Sequence, residues 1–150
     1  MELNKLERII LDQQEELEGL RSGNYCQRKE ESLIDLSSNL AQVVIGVRRS
    51  GKSTLCINAL ERDNVKYAYV NFDDERLIDI TVDDMDSILE MLYKVYGEFT
   101  HLLLDEVQNV EGWHLFVNRM LRKKLHIVLT GSNSKLLSGE LASHLTGRHH

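Results

Sequence analysis

Eight residues, Gly46-Val47-Arg48-Arg49-Ser50-Gly51-Lys52-Ser53, constrain this chain more than any other stretch, because they match GxxxxGK[ST] without a break. They stand between an apolar run, Ala41 to Val47 (AQVVIGV), and a helical pattern from Ser53 to Leu60. Strand, loop, helix is the context that the motif requires. Glycines let the backbone curl so that successive N–H groups point at phosphate oxygens, and a helix beginning near Lys52 adds the positive end of its dipole. Gly46, Arg48, Arg49, Ser50 and Gly51 are expected to form the cradle. Lys52 is expected to reach the β and γ phosphates, Ser53 to offer a hydroxyl to the Mg2+ bridging them, and Thr54 to bond near the α-phosphate. Arg48 and Arg49 have two destinations open, phosphate or acids such as Asp73 and Asp74. Charge agrees with an anion site: residues 42–59 hold three bases and no acids, in a chain of net charge −6.

The rest of the chain alternates. Leu3, Leu6, Ile9, Ile10, Leu17 and Leu20 recur at helical spacing over Leu3–Leu20, either as a helix packed on the following domain or as a partner-binding helix. A second, shorter helical stretch is expected over Lys29–Leu40. Tyr67–Phe72 reads as a strand. Thr81 and Asp84 form a capping box ahead of Met85, Ile88, Leu92 and Val95, and Gly97 ends that helix. His101–Leu104 is a third strand closing on Asp105 and Glu106. Trp113, Phe116, Val117, Met120 and Leu121 mark a helix with a basic end, Leu125–Leu129 a fourth strand, and Leu136, Leu137, Leu141 and Leu145 a last helix. Four strand–helix alternations predict an α/β fold with a parallel sheet covered on both faces, whose ligand sites lie at the carboxyl ends of the strands.

Candidate chemistry falls at those ends. Asp105 at the end of a buried strand is suited to hold magnesium through water, and Glu106 to orient and polarise a water for attack on a γ-phosphate. After the fourth strand, Ser132 and Asn133 are contenders to hydrogen-bond the γ-phosphate or the attacking water; each fits equally as the N-cap of the helix that follows. Arg148 has two readings, a finger reaching a neighbouring subunit's nucleotide or a solvated arginine. Glu106 disfavours a small-molecule kinase, and a GTPase lacks an NKxD motif.

Composition excludes several classes. The longest uncharged apolar stretches fall far short of the roughly 20 residues a membrane span needs, and the N-terminus has no apolar signal core, so a cytoplasmic location with no membrane partner is expected. Cys26 and Cys56 are 30 residues apart without metal-ligand spacing, which suggests neither a disulfide framework nor a zinc site. Arg119, Arg122, Lys123 and Lys124 could face nucleic acid, but a helix end satisfying its own dipole explains them as well.

Taken together, GVRRSGKSTL, YVNFDDERL, LLLDEVQNVEGW, VLTGSNSKLL and LTGR, in that order, resemble the prokaryotic ATPases of AAA domain family 14. The resemblance implies a P-loop sandwich with sheet order 5-1-4-3-2, ATP and Mg2+ as cofactors, Asp105 on the metal and Glu106 as water-activating base. It divides the chain into an N-terminal helical segment, 1–40, and an ATPase core, 41–150. It also implies that such proteins continue into a fifth strand and a C-terminal domain. On that reading the first strand is an open sheet edge, self-association through it is expected, and ATP turnover by this stretch alone is expected to be weak. The activity implied is hydrolysis of ATP to drive or switch a partner domain; the alternative is a nucleotide-binding regulatory module with little or no hydrolysis.

Overall fold

A computed structural model describes residues 1–21, 33–46 and 51–132. Its elements are α1 (Leu3–Arg21), β1 (Gln42–Ile45), α2 (Lys52–Arg62), β2 (Tyr67–Asn71), α3 (Met85–Tyr96), β3 (His101–Asp105), α4 (Trp113–Arg122) and β4 (His126–Gly131). The four strands form one parallel sheet in the order β1-β4-β3-β2, as the resemblance implied for these four.

Side chains alternate across each strand, and that period of two divides the core in half. Val43, Ala68, Val70, Leu102, Leu104, Ile127 and Leu129 face one way, against Leu6, Ile9 and Ile10 of α1, Ile88 and Leu92 of α3, and Phe116 and Met120 of α4. Val44, Tyr69, Leu103 and Val128 face the other, against Leu55, Cys56, Ile57, Ala59 and Leu60 of α2. The result is a three-layer sandwich with near-continuous apolar strands, because both faces of the sheet are covered. Cys56 is fully buried, and burial pushes its thiol well above the ordinary range, so it is an inert core residue.

The helix α1 crosses the edge of the sheet. Its Leu6, Ile9 and Ile10 join one half of the core and its Leu17 the other. Between them the buried Gln13 meets the outer side of the edge strand β2: its Nε2 donates to the Asn71 carbonyl at 2.9 Å, and its Oε1 accepts from the Asn71 N–H at 2.9 Å. One amide side chain thus satisfies a donor and an acceptor that an edge strand would otherwise present to another chain. Nearby, Arg76 binds Asp12 of α1 and Asp74, each at 2.7 Å. The Arg76 guanidinium holds the Asp74 carboxyl down at about 2.

Local signals explain most boundaries. The Asp84 carboxylate accepts from the Thr81 N–H at 3.1 Å and hydroxyl at 3.2 Å, and a single 3-10 turn, Val82–Asp84, leads into α3. Gly97, at φ 76°, ends that helix. The expected helix over Lys29–Leu40 is not found in its described part: residues 33–40 form turns. Asp35 and Ser38 explain the difference, since their side chains take the backbone N–H groups of Ser37 and Leu40 that a helix would use. The last predicted helix, Leu136 to Leu145, lies outside the described residues, as does Cys26. No described helix is long and apolar enough to cross a membrane.

At the amino end of the sheet, His101 and His126 occupy paired register positions and stack with ring centroids 4.6 Å apart. The His101 Nε2 hydrogen-bonds the Leu36 carbonyl at 2.8 Å, and the His126 Nδ1 the Ser38 carbonyl at 3.0 Å, so both rings pin the turns ahead of β1. Burial lowers the pKa of His101, and the nearby His126 acts in the same direction. With the native value below the unfolded one, an unfolded chain takes up a proton that the native chain does not. This contribution to stability is complete above the unfolded value of about 6.5 and declines as pH falls below it. Urea midpoints measured at pH 7.5 and 5.5 are expected to drop more in the parent than in His101→Asn; equal drops would exclude His101 as the cause.

Candidate functional site

Strand parity brings the chemistry together. Leu103 and Val128 face α2, so Asp105 and Thr130, two residues further on in their strands, face it too, at the carboxyl end where α2 begins. Gly51, at φ 88°, turns the chain into α2, and Lys52 and Ser53 open that helix. The Ser53 Oγ lies 2.8 Å from Asp105 Oδ1 and 2.6 Å from Oδ2, donating across the carboxylate. Thr130 Oγ1 donates to Asp105 Oδ1, and the Tyr69 hydroxyl lies 3.3 Å from Oδ2.

Glu106 follows with φ 53° and ψ 48°, a left-handed conformation that a non-glycine residue adopts only under constraint. The constraint is visible: its N–H donates to Thr130 Oγ1 at 3.0 Å. A buried hydroxyl on β4 therefore accepts from one acid's backbone while donating to the other acid's side chain. The kink swings Glu106 out of line with β3 and toward α2, where its Oε2 lies 2.7 Å from Lys52 Nζ. Its Oε1 accepts from Gln108 Nε2 at 3.0 Å.

Burial raises the Asp105 pKa, opposed by the Ser53 and Thr130 hydroxyls, while the Glu106 charge pushes it further up and Lys52 pulls it back. Among the described residues, Asp105, Glu106 and Lys52 are the buried charged groups here. A buried carboxylate beside a serine hydroxyl is a pair of hard oxygen ligands, which fits magnesium, an ion that takes one or two protein oxygens and completes its shell with phosphate and water. No group of three or more His, Cys, Asp or Glu side chains able to hold a metal exists among the described residues.

Of the residues read from the sequence, Lys52, Ser53, Asp105 and Glu106 come together as described. Gly46 continues the β1–β4 pairing, its N–H donating to the Gly131 carbonyl at 3.2 Å. Thr54 is half-buried in the first turn of α2, and Ser132 is half-buried just past β4. Arg48, Arg49, Ser50, Asn133 and Arg148 lie outside the described residues. Asp74, one of the acids open to the loop arginines, is held by Arg76 and Gln13. Arg119, at the basic end of α4, pairs with Asp86 at 2.6 Å and lies over the Phe116 ring.

Sequence reasoning missed Thr130, Tyr69 and Gln108. Parity along β4 and β2 was the signal available for the first two, since each shares a face with a residue packed on α2. Nothing in the local pattern marks Gln108, because only the kink at Glu106 returns it to the site.

A parallel sheet with helices on both faces, and a strand-ending acid against the first turn of the helix that follows the glycine loop, define a P-loop NTPase-like domain. Residues 38–150 match the AAA domain family 14, and this chain belongs to that family. It is 36% identical over 143 residues to an uncharacterized protein of Methanocaldococcus jannaschii, covering 95% of this chain and 31% of that protein. It is 34% identical over 122 residues to an uncharacterized protein of Haemophilus influenzae, covering 75% of this chain and 30% of that one. The chain thus spans about a third of the length of these relatives. The longer alignment exceeds the family-matched stretch and reaches into the N-terminal segment that carries α1. Family membership points to nucleotide binding.

Proposed function

We propose that this chain is an ATPase module that binds Mg-ATP at the Gly46–Thr54 loop and hydrolyses the γ-phosphate to drive or switch a partner domain. The observation that carries the reading is the meeting of Lys52 and Ser53, at the start of α2, with Asp105 and Glu106, at the end of β3.

In this reading the loop N–H groups, with Arg48, Arg49 and Ser50, hold the phosphates, and Lys52 turns from Glu106 to the β and γ oxygens. Ser53 and Asp105 would hold Mg2+, which when bound draws charge from the bridging phosphate oxygens. Glu106, released from Lys52, accepts the proton of a water attacking in line; the bond to the β–γ bridging oxygen breaks, leaving ADP and phosphate. Ser132 or Asn133 is suited to bond the γ-phosphate or that water, and Arg148 to reach a neighbouring subunit's nucleotide. The edge of β1, which has only β4 beside it among the described residues, offers a surface for the self-association that the last role needs.

One observation favours the second reading, a nucleotide-held switch with little hydrolysis. Both carboxylate oxygens of Glu106 are engaged, by Lys52 and by Gln108, and a base so held accepts a proton poorly. Phosphate release under saturating ATP separates the two. The expected result is slow, steady production of ADP and phosphate that stops when EDTA removes magnesium and resumes on its return. Nucleotide binding with no phosphate release would establish the switch.

A further inference from the structure

The same Gln108 carries a second feature. Its Nε2 faces Glu106 Oε1, and its own Oε1 is sealed from solvent with no hydrogen-bond partner among the described residues. The amide cannot be turned to relieve this, because an ionised carboxylate only accepts and so requires the nitrogen to face it. Gln108 sits in the single turn Val107–Asn109, which the left-handed Glu106 starts and the Asn109 N–H closes on the Glu106 carbonyl at 3.2 Å. An orphaned acceptor therefore lies one amide group away from the carboxylate assigned to the attacking water.

A buried acceptor without a partner destabilises the native state, and the bond from Nε2 to Glu106 does not use the Oε1 end of the amide. Residues of that kind persist where function requires them. A water activated by Glu106 has two protons: one goes to the carboxylate, and the other needs an acceptor that fixes the orientation of the oxygen lone pair. The unpartnered Oε1 lies one amide group from that carboxylate and would come within reach of such a water when Lys52 leaves Glu106 for the phosphates.

We infer that Gln108 is the positioning residue of this site, its Nε2 fixing the Glu106 carboxylate and its Oε1 accepting the second hydrogen of the attacking water. The inference rests on the hydrolytic reading above. It divides Gln108 into a donor that steadies Glu106 and an acceptor that costs the fold and serves the reaction.

The test is Gln108→Leu, close in size and without polar atoms, measured for folding, binding and turnover together. Thermal stability is expected to stay level, relief of the orphaned Oε1 offsetting the lost donor to Glu106, affinity for a fluorescent ATP analogue to stay within about twofold, and kcat to fall roughly 10- to 100-fold. Gln108→Asn, which keeps both polar atoms on a shorter stem, is expected to recover part of kcat. A lower melting temperature accompanying the loss would make Gln108 structural, and an unchanged kcat would overturn the inference outright. A parent that releases no phosphate overturns the hydrolytic reading and with it the water-accepting half. The Glu106 contact is then decided alone, by NMR of the Gln108 side-chain amide protons. These are expected to shift in Glu106→Gln, and an unmoved signal overturns that half as well.

Discussion

Glu106→Gln is expected to lower kcat by about 10² to 10⁴ while leaving ATP bound as tightly as in the parent, or more tightly. The loss follows from chemistry: the amide has the shape of the carboxylate but takes no proton from water. The retained or improved affinity follows from geometry. Lys52 Nζ lies 2.7 Å from Glu106 Oε2, so in the parent the polyphosphate competes with a carboxylate for that ammonium, and in the variant it competes with a neutral group. Single-turnover phosphate release and titration with a fluorescent ATP analogue read the two effects separately. A fall in kcat below tenfold would remove Glu106 from the role of base, and weaker binding would mean that the ion pair does not compete with nucleotide.

Lys52→Met acts on the same pair from the other side. Both side chains are buried, and taking one charge from a buried pair leaves the other poorly compensated. A destabilisation of about 3 kcal/mol is expected, near the lower end for such pairs because Gln108 still donates to Glu106. The double variant Lys52→Met with Glu106→Gln should recover most of it, since the stranded charge is gone. Denaturant midpoints for the four proteins of the cycle measure the coupling, and additive losses would show that the two side chains do not support each other. Both variants lacking Lys52 are expected to lose nucleotide binding by at least tenfold, whatever their stability, because the lost contacts are charge-assisted.

The parts of this site that were legible in the sequence are those fixed by local rules. The glycine-lysine-serine run specifies a loop and a helix start, and an apolar strand ending in Asp105 specifies where that carboxylate emerges. The alternation of strands with helices gave the layers, and the capping box at Thr81 and Asp84 and the glycine at 97 gave the limits of α3. What was not legible depends on contacts across strands. The bracket at Thr130 joins residues 24 and 25 positions apart and exists only because β4 lies beside β3. The kink at Glu106 is a conformation that its own residue type disfavours, so no propensity announces it. Gln13 read as one polar position within an amphipathic helix, yet it is buried because α1 passes over the edge of the sheet. The turns over 33–40 fall in the stretch Lys29–Leu40 that reads as a short helix, and short polar side chains competing for the backbone decided the outcome.

The amide of Gln13 grips β2 at Asn71, and Asn71 is the register partner of Asp105 on the next strand. One contact of α1 therefore falls one strand spacing, about 4.8 Å, from the acid assigned to the metal. The N-terminal helix, packed into both halves of the core, thus also reaches through Gln13 to the strand beside the candidate site.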